Sequence, residues 1–316
     1  MSKFYGVNNI GQTFLINQLE LNMKSFLDNG FLKAGGFVNI HKPVKNIHSN
    51  GLYKLYTVND PNFKTGQVWQ PARKDWVFET GVNESFHAPV AITGVYINSV
   101  FHNINTTGNY EYTLDYKNSR VLFAKKQSTS LNVEMSYSYR WVQVYNYVDA
   151  KWWQELQYSP NNNEAHQKTR DKGDFTIPAH QRVQMPAVII ETVARGTSEP
   201  FRMGDKSMRI SQDFLFHIIA DNYTDRNNIL DILRLQEDKV LSFYDIDKVV
   251  KNEKYWLNFD GTLNPKRLQY DVITSLDGDY LWNTCRLKNM VISEVESLNA
   301  DLFEANIRVT AEIIIV

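Results

Sequence analysis

Histidine is the side chain that most readily exchanges protons near neutral pH, so its positions are a first guide to chemistry. The seven histidines show no His-x-x-x-His zinc spacing and lie scattered along the chain, at His41, His48, His87, His102, His166, His180 and His217. Each is predicted to be a surface or hydrogen-bonded residue. His217 has the most specific context, because it lies within the apolar segment Phe214 to Ile219. Its ring is predicted to point away from a sheet or to bond across it.

Two pairs of aspartates have spacings that could hold a metal ion or a phosphoryl group. Asp245 and Asp247 follow a predicted strand, a position where some phosphoryl-transfer enzymes hold a nucleophile and magnesium. Those enzymes also need a lysine and a hydroxyl in fixed places, and neither is identifiable, so a solvated strand end is predicted. Asp277 and Asp279 lack the ligand spacing and terminal glutamate of an EF-hand, so a turn is predicted.

The sequence contains no Gly-x-Gly-x-x-Gly motif, no P-loop and no Gly-x-Ser-x-Gly motif. Its single cysteine, Cys285, excludes an intramolecular disulfide and a multi-cysteine metal site, and is predicted to be a small buried core residue. We therefore predict no catalytic residue, no cofactor-binding residue, no metal ligand and no cofactor. The chain is predicted not to be an enzyme.

Aromatic side chains form the most conspicuous group. Five of them lie close together and could stack sugars or bases, at Tyr137, Tyr139, Trp141, Tyr145 and Tyr147. The formal net charge of −1 and the lack of a basic stripe argue against nucleic acid, so a core on one side and an interface on the other are predicted. Paired tryptophans favour interface centres. The predicted interface residues are Trp152, Trp153, Tyr145, Tyr147 and Arg226.

Length and composition indicate a folded protein with room for two domains. The chain has 316 residues, of which 43% are hydrophobic and 22% charged. Its start has no charged region followed by an apolar run, and its apolar runs are too short to span a bilayer. We expect folding in a reducing cytoplasm and no membrane partner.

Three segments carry the predicted elements of the first half. A helix is predicted from about Thr13 to Asp28, ended by Gly30, and a strand over Phe31–Ile40 with a bend or close backbone approach at Gly35-Gly36. Short strands are predicted between about Ser49 and Tyr147, including a hairpin turning at Asn98-Ser99 and a strand over Leu131–Tyr139. Their spacing is typical of a β-sandwich or a small barrel.

The second half is predicted to alternate strands with a helix. Strands are predicted at Ala187–Val193, Phe214–Ile219 and Val240–Tyr244, with a polar loop from Arg195 to Asp205 between the first two. Thr224 is predicted to cap a helix that carries apolar residues at helical spacing, Ile229, Leu230, Leu233 and Leu235.

Two further segments complete this half. Residues 159–172 are predicted to be a mobile loop or one ordered by a partner. The chain ends in a predicted hairpin, Leu287–Ser297 and Phe303–Val316, in which apolar and polar residues alternate.

The central segment resembles the core of the small α/β proteins that finish the tail or join head to tail in tailed bacteriophages. The resemblance lies in Asp213-Phe-Leu-Phe-His-Ile-Ile-Ala-Asp221 followed by Arg226-Asn-Asn-Ile-Leu-Asp-Ile-Leu233, a strand that leads into a helix. The strand Tyr112-Thr-Leu-Asp-Tyr116 and the closing Tyr137-Ser-Tyr139 are similar to β-sandwich modules of phage virion proteins. These are likenesses of element pattern, without a reactive motif, and the first covers about half of the chain.

This resemblance implies an α+β fold, with a mixed or antiparallel sheet and flanking helices, plus an inserted β-sandwich domain. The core would comprise residues 1–48 and 151–316, and the β-sandwich residues 49–150. The implied function is a structural virion protein, assembled in the host cytoplasm into a sixfold or twelvefold ring in the neck or upper tail. Its partners would be connector, tube and sheath proteins, and DNA would pass through the ring without specific binding.

Three alternatives stay open at this point. A tail-tube subunit would also be rich in strands and form rings. A carbohydrate-binding or adhesion module would explain the tryptophans and tyrosines, and would place tryptophans along a surface groove. A hydrolase would gather two or more acidic groups with perturbed pKa values in one compact pocket.

Overall fold

A computed structural model of the protein describes residues 13–42, 51–79, 81–82, 88–153, 169–171, 174–177, 181–202, 204, 207–293, 297–299 and 302–315. The fold is mixed α+β, with sheets that are mostly antiparallel and few helices. Of the predicted loop at 159–172, residues 159–168 and 172 lie outside the described residues. None of the helices in the described residues combines the length and the apolar character that crossing a membrane requires.

The described strands are β1 Phe37–Ile40, β2 Lys54–Thr57, β3 Val68–Pro71, β4 Gly94–Ile97, β5 Val100–Asn103, β6 Tyr112–Asp115, β7 Arg120–Phe123, β8 Val133–Glu134, β9 Tyr137–Arg140, β10 Gln143–Asn146, β11 Thr169–Asp171, β12 Asp174–Ile177, β13 Gln181–Gln184, β14 Ala187–Pro200, β15 Met208–Ala220, β16 Val240–Tyr244, β17 Leu281–Ser293, β18 Ser297–Asn299 and β19 Leu302–Ile315. The described helices are α1 Leu15–Lys33, α2 Tyr223–Arg234, α3 Ile246–Lys251 and α4 Tyr270–Ile273.

The chain divides into two compact units. Unit 1 comprises Met1–Asn29, Val142–Asn252 and Tyr270–Val316, and unit 2 comprises Gly30–Trp141 and Glu253–Gln269. The predicted domain bounds of 1–48, 49–150 and 151–316 stay a prediction.

Unit 1 contains a seven-stranded sheet in the order β10-β14-β15-β19-β17-β16, with β18 paired to β19. β10 runs parallel to β14, and the other pairs are antiparallel. The alternation predicted for β19 is confirmed from Asn306 to Ile313, where the apolar residues are buried and the polar residues between them are half-buried. The buried set is Ile307, Val309, Ala311 and Ile313.

The β14–β15 pair is longer than the sequence predicts. The loop expected from Arg195 onward is strand up to Pro200, because Gly196 to Pro200 pair with Gln212 to Met208 across the hairpin. Turn-forming residues are tolerated here because proline and glycine fit an edge strand and the vicinity of a bulge. The register shifts between Thr192 and Gly196. Long-range pairing therefore overrides the local turn signal.

Helix α2 packs against β15 and β19 through its buried residues Ile229, Leu230 and Leu233. The predicted cap at Thr224 is wrong, since the N-cap is Asn222. Asn222 has extended backbone angles, and its side-chain oxygen accepts a hydrogen bond from the Asp225 amide at 2.8 Å. Leu235 lies just past the helix end and is 80% exposed, so it does not join the buried face.

Helix α1 continues past the predicted stop. Gly30 lies inside the helix, which ends at Lys33, and Gly35 is the glycine with positive φ, at 80°. The close backbone approach predicted at Gly35-Gly36 is confirmed, because a Cβ on Gly36 would lie 2.7 Å from the Phe31 carbonyl oxygen. Phe31, where the next strand was predicted to begin, lies within the helix, and that strand begins only at Phe37.

Helix α1 also protects one edge of the unit 1 sheet. The Asn22 side-chain amide donates to the Tyr244 carbonyl at 2.9 Å, and its oxygen accepts from the Tyr244 amide at 2.8 Å. These are the backbone groups that a further strand would bind, because β16 is the terminal strand on this side. A buried side chain thus satisfies part of an edge that would otherwise be open.

Unit 2 contains a seven-stranded antiparallel sheet in the order β5-β4-β8-β2-β3-β7-β6. The predicted hairpin at Asn98-Ser99 is confirmed, and φ is positive at both residues, as type I′ turns require. An aromatic cluster fills the core, with the Trp76 ring 5.7 Å from that of Tyr116 and 6.1 Å from that of Tyr137.

The strand predicted over Leu131–Tyr139 is two strands. β8 belongs to the seven-stranded sheet, whereas β9 pairs with β1. Val133, Met135, Tyr137 and Tyr139 are all buried, so the predicted apolar side is confirmed although the strand is interrupted. Alternation records which side is buried, but it does not record which partner each half of the segment pairs with.

The protection of β16 by Asn22 leads to a first prediction. Asn22→Ala removes both hydrogen bonds to the Tyr244 backbone and leaves buried polar groups unsatisfied. We expect the free energy of unfolding to fall by about 1–3 kcal/mol, measured by urea denaturation. Asn17→Ala is the matched control, since Asn17 is exposed on the same helix and gains the same helix propensity. Equal stability of the two variants would contradict the protective role.

Candidate functional site

Two clusters of hydrogen-bonded polar side chains lie on one face of β15 and β19. Cross-strand partners point to the same side of a sheet, and the register pairs Asp213 with Thr310 and His217 with Asn306. Phe214 and Phe216, which alternate with these residues on β15, are buried on the other face. The polar face carries two clusters, one around His217 and one around Asp213.

The His217 cluster joins three strands. Its Nε2 lies 2.8 Å from a carboxylate oxygen of Glu191 on β14, and its Nδ1 lies 3.4 Å from one of Glu304 on β19. The residue is 4% exposed, and the centre of the Trp153 ring lies 5.4 Å from that of the imidazole. The prediction that His217 bonds across the sheet is confirmed.

The two glutamates favour the protonated imidazole. Burial lowers the pKa of His217, but the hydrogen bonds and negative charges of Glu304 and Glu191 outweigh burial and raise the pKa overall. Because each ring nitrogen lies close to a carboxylate, the histidine links β14, β15 and β19. A ring engaged on both sides has no free nitrogen to offer a substrate as a general base.

The Asp213 cluster lies further along the same face. Arg308 donates to the Asp213 carboxylate through Nε at 3.0 Å and also through Nη2, and the Thr310 hydroxyl donates to its other oxygen at 2.7 Å. Burial raises the pKa of Asp213, but the Arg308 and Thr310 hydrogen bonds and the charges of Arg308 and Arg195 lower it overall. Asp213 therefore stays ionised as a fixed acceptor.

Beside Asp213 lies a cavity of about 420 Å³. Its lining residues come from β14, β15, β17 and β19: they are Arg195, Thr197, Ser211, Asp213, Asn289, Val291, Arg308 and Thr310. We call this cavity the arginine pocket. Within its lining, two guanidinium groups face one carboxylate.

The sequence identifies this pocket only in part. Arg308 and Thr310 belong to the polar side predicted for the last strand, but Arg195 lies in a segment predicted to be loop. Asp213 lies 95 residues from Arg308, so no local pattern pairs them. The available signal is the run of polar residues at alternate positions of two long strands.

Four of the predicted interface residues belong to, or pack against, one buried cluster of unit 1. Trp152 and Trp153 are 4% and 0% exposed, within a cluster that includes Ile189, Ile219 and Leu302. Tyr145 and Tyr147 are partly buried against the same cluster. The paired tryptophans therefore anchor the chain's own fold.

Arg226 is 6% exposed on α2, with its guanidinium 5.0 Å from the Tyr223 ring. An interface role for all five residues, Trp152, Trp153, Tyr145, Tyr147 and Arg226, stays a prediction.

The first of the two aspartate pairs, Asp245 and Asp247, has structural roles in the chain. Asp245 caps α3, accepting from the Lys248 amide at 3.0 Å. Asp247 accepts from the Thr13 amide at 2.7 Å and from its hydroxyl at 2.6 Å. Asp277 and Asp279 lie in a turn, as predicted.

Cys285 is buried as expected, and burial raises the pKa of its thiol to about 12. Across the part of the chain that the structure describes, no three or more His, Cys, Asp or Glu side chains are placed to hold a metal ion. His48, His87, His166 and His180 lie outside the described residues.

Comparison with known proteins adds no family to this picture. No protein-family model matches the chain, and no curated protein matches it either.

The His217 cluster predicts a pH dependence of stability. The folded-state pKa is raised above the unfolded value of about 6.5, so the stabilisation is complete below that value. It is lost as the pH rises through the folded-state pKa. We expect the urea midpoint of the wild type to fall over this range, and that of His217→Gln to fall less. Parallel pH profiles of the two proteins would contradict the assignment.

Proposed function

We propose that this protein is a structural virion protein of a tailed bacteriophage, forming an oligomeric ring in the neck or upper tail. The ring terminates the tail or joins it to the head. The proposal draws on the sequence resemblance of Asp213–Leu233 to tail-completion proteins. In unit 1 this segment forms β15 followed by α2, a strand leading into a helix.

The finer division of the fold belongs to the same proposal. Unit 1 is the α/β core, and unit 2 is a β-sandwich inserted into it. In support, the main part of unit 2, Gly30–Trp141, is flanked in sequence by segments of unit 1. Unit 2 also has its own aromatic core.

The observation that carries the ring proposal is the outer edge of β14. β10 pairs with β14 only from Ala187 to Ile190, whereas β14 continues to Pro200. Beyond Ile190, β15 is the one strand paired with β14 among the described residues. The residues from Ala194 to Pro200 are exposed. Such an edge is a template for a strand of another subunit.

Edge pairing of this kind can close a ring. The outer edge of β14 would bind a different surface of the neighbouring subunit, which makes the contact heterologous, and a heterologous contact closes when its rotation divides a full turn. A sixfold or twelvefold ring, placed around DNA without specific contacts to it, follows from the resemblance. The neighbours would be connector, tube and sheath proteins, and the site of action would be the virion after assembly in the host cytoplasm.

A carbohydrate-binding module is the less supported alternative. It requires tryptophans along a surface groove, whereas Trp69, Trp76, Trp152 and Trp153 are buried. A tail-tube subunit would differ from a neck-ring subunit chiefly in copy number. Counting the copies of this chain per particle therefore distinguishes the two functions.

The test is quantitative mass spectrometry of purified phage particles, counting this chain against the portal protein. A copy number equal to that of the portal, or about half of it, is expected for a closed ring at the neck or tail end. A number many times larger would replace the neck assignment with the tube or sheath. Absence from the particles would overturn the structural role.

The edge contact has its own test in two adjacent proline variants, Ser198→Pro and Glu199→Pro. Successive amides of a strand point to opposite sides, so one variant loses an amide directed at β15 and the other loses an outward amide. The variant that loses the outward amide should keep the wild-type melting temperature but no longer be incorporated into particles. Its copy number per particle is measured by the same mass spectrometry. Normal incorporation of that variant would exclude the β14 edge as the contact.

A further inference from the structure

The arginine pocket is flanked by two irregularities of the sheet. The register of β14 shifts between Thr192 and Gly196, and that of β17 shifts between Lys288 and Val291. Arg195 lies in the first irregularity and Asn289 in the second, and both line the pocket. Bulges are common next to functional sites, where they redirect a side chain.

Specific contacts hold both irregular segments. The Gln212 side chain donates to the Val193 carbonyl at 2.7 Å, and a Cβ on Gly196 would lie 2.8 Å from the Gln212 side-chain oxygen. Asn289 has a positive φ of 54°, and the nitrogen of its side-chain amide donates to the Thr310 hydroxyl at 3.5 Å. The two strands that border β15 and β19 are therefore both irregular at the pocket.

The charge balance of the lining favours an anion. The Asp213 carboxylate already accepts hydrogen bonds from Arg308 and Thr310. Arg195 is a weaker partner, with its Nε 3.8 Å from Asp213 and its side chain 70% exposed. The lining thus carries one positive charge in excess, on an arginine with room to move towards a ligand.

The remaining donors suit oxygen ligands. Thr197 and Ser211 contribute hydroxyl groups to the lining beside Arg195, and cross-strand pairing holds these two residues side by side. None of the lining residues is aromatic, so the pocket lacks the stacking surface typical of sugar and base recognition. Guanidinium and hydroxyl donors together match a carboxylate or a phosphate group.

We propose that the arginine pocket is a binding site for an oxyanion, either a carboxylate or a phosphate group. Arg195 is the principal ligand-binding residue. Arg308 has its side chain 40% exposed and adds positive charge while it remains paired with Asp213. The Thr197 and Ser211 hydroxyls complete the donor set. The site belongs to the single chain, so it does not depend on the ring proposal.

The test is isothermal titration of the full chain with inorganic phosphate and, separately, with acetate, at an ionic strength fixed with chloride. We expect saturable binding to the wild type and an affinity lowered by about tenfold or more in Arg195→Gln. This variant should fold normally, because the Arg195 side chain is 70% exposed. Arg234→Gln is the matched control, with the same charge change on an exposed residue of α2, and should bind as the wild type does.

The two titrants separate the possible sources of the anion. Binding of phosphate alone indicates a phosphate-bearing ligand, and comparable binding of acetate indicates a carboxylate, as on an acidic peptide. Equal binding by wild type and Arg195→Gln, or no saturable binding of either titrant, would overturn the proposal. Because purified chain is used, either outcome is independent of whether the protein occurs in phage particles.

Discussion

Strands β15 and β19 are paired along the whole length of β15, and the other features of unit 1 depend on this pairing. It runs from Met208 opposite Ile315 to Ala220 opposite Phe303 without a register shift. Phe214, Phe216 and Ile218 of β15 and Ile307 and Val309 of β19 are buried on one face of the sheet. Asp213, His217, Arg308 and Thr310 lie on the other face, so one register fixes both the core and the candidate site. A slip by one residue would exchange the two faces and bury Asp213 and Arg308 in the core.

The buried polar groups of this face have hydrogen-bond or ionic partners, whereas the exposed Arg195 has only a weak contact with Asp213. His217, near one end, is nearly fully buried and has a carboxylate at each ring nitrogen. Asp213 is also buried and is bonded by Arg308 and Thr310. Buried charge without such partners would be costly, so these contacts are conditions of the fold as well as candidate functional features. Arg195 stands apart because much of its side chain is in solvent and its contact with Asp213, at 3.8 Å, is weak.

The two edges of the unit 1 sheet, at β16 and at β14, differ in how their backbone groups are covered. At β16 the Asn22 side chain binds the backbone groups of Tyr244 and closes part of the edge. At β14 the strand runs on past the end of β10 with exposed residues. Among the described residues, the outer edge of β16 is partly covered and that of β14 beyond Ile190 has no paired strand, which favours further strand pairing at β14. This asymmetry is the physical basis of the heterologous contact that we propose for the ring.

The sequence alone determined the elements whose signal is local. The period-two alternation of β19, the helical spacing of α1 and the turn at Asn98-Ser99 are all carried by neighbouring residues, and the structure has each of them. The burial of Cys285, a small residue near the start of a strand, is also confirmed. Such patterns record which side of an element is buried, because side-chain direction depends on backbone geometry alone.

Only the tertiary structure decided which elements meet. Arg195–Pro200 is strand because β15 supplies its hydrogen bonds, although the residues themselves favour a turn. Trp152 and Trp153 are core residues because Ile189, Ile219 and Leu302 surround them. The pKa of His217 is raised because Glu191 and Glu304, 26 and 87 residues away, reach its ring. Contacts at such separations depend on the register of the whole sheet, and no local pattern of residues contains that register.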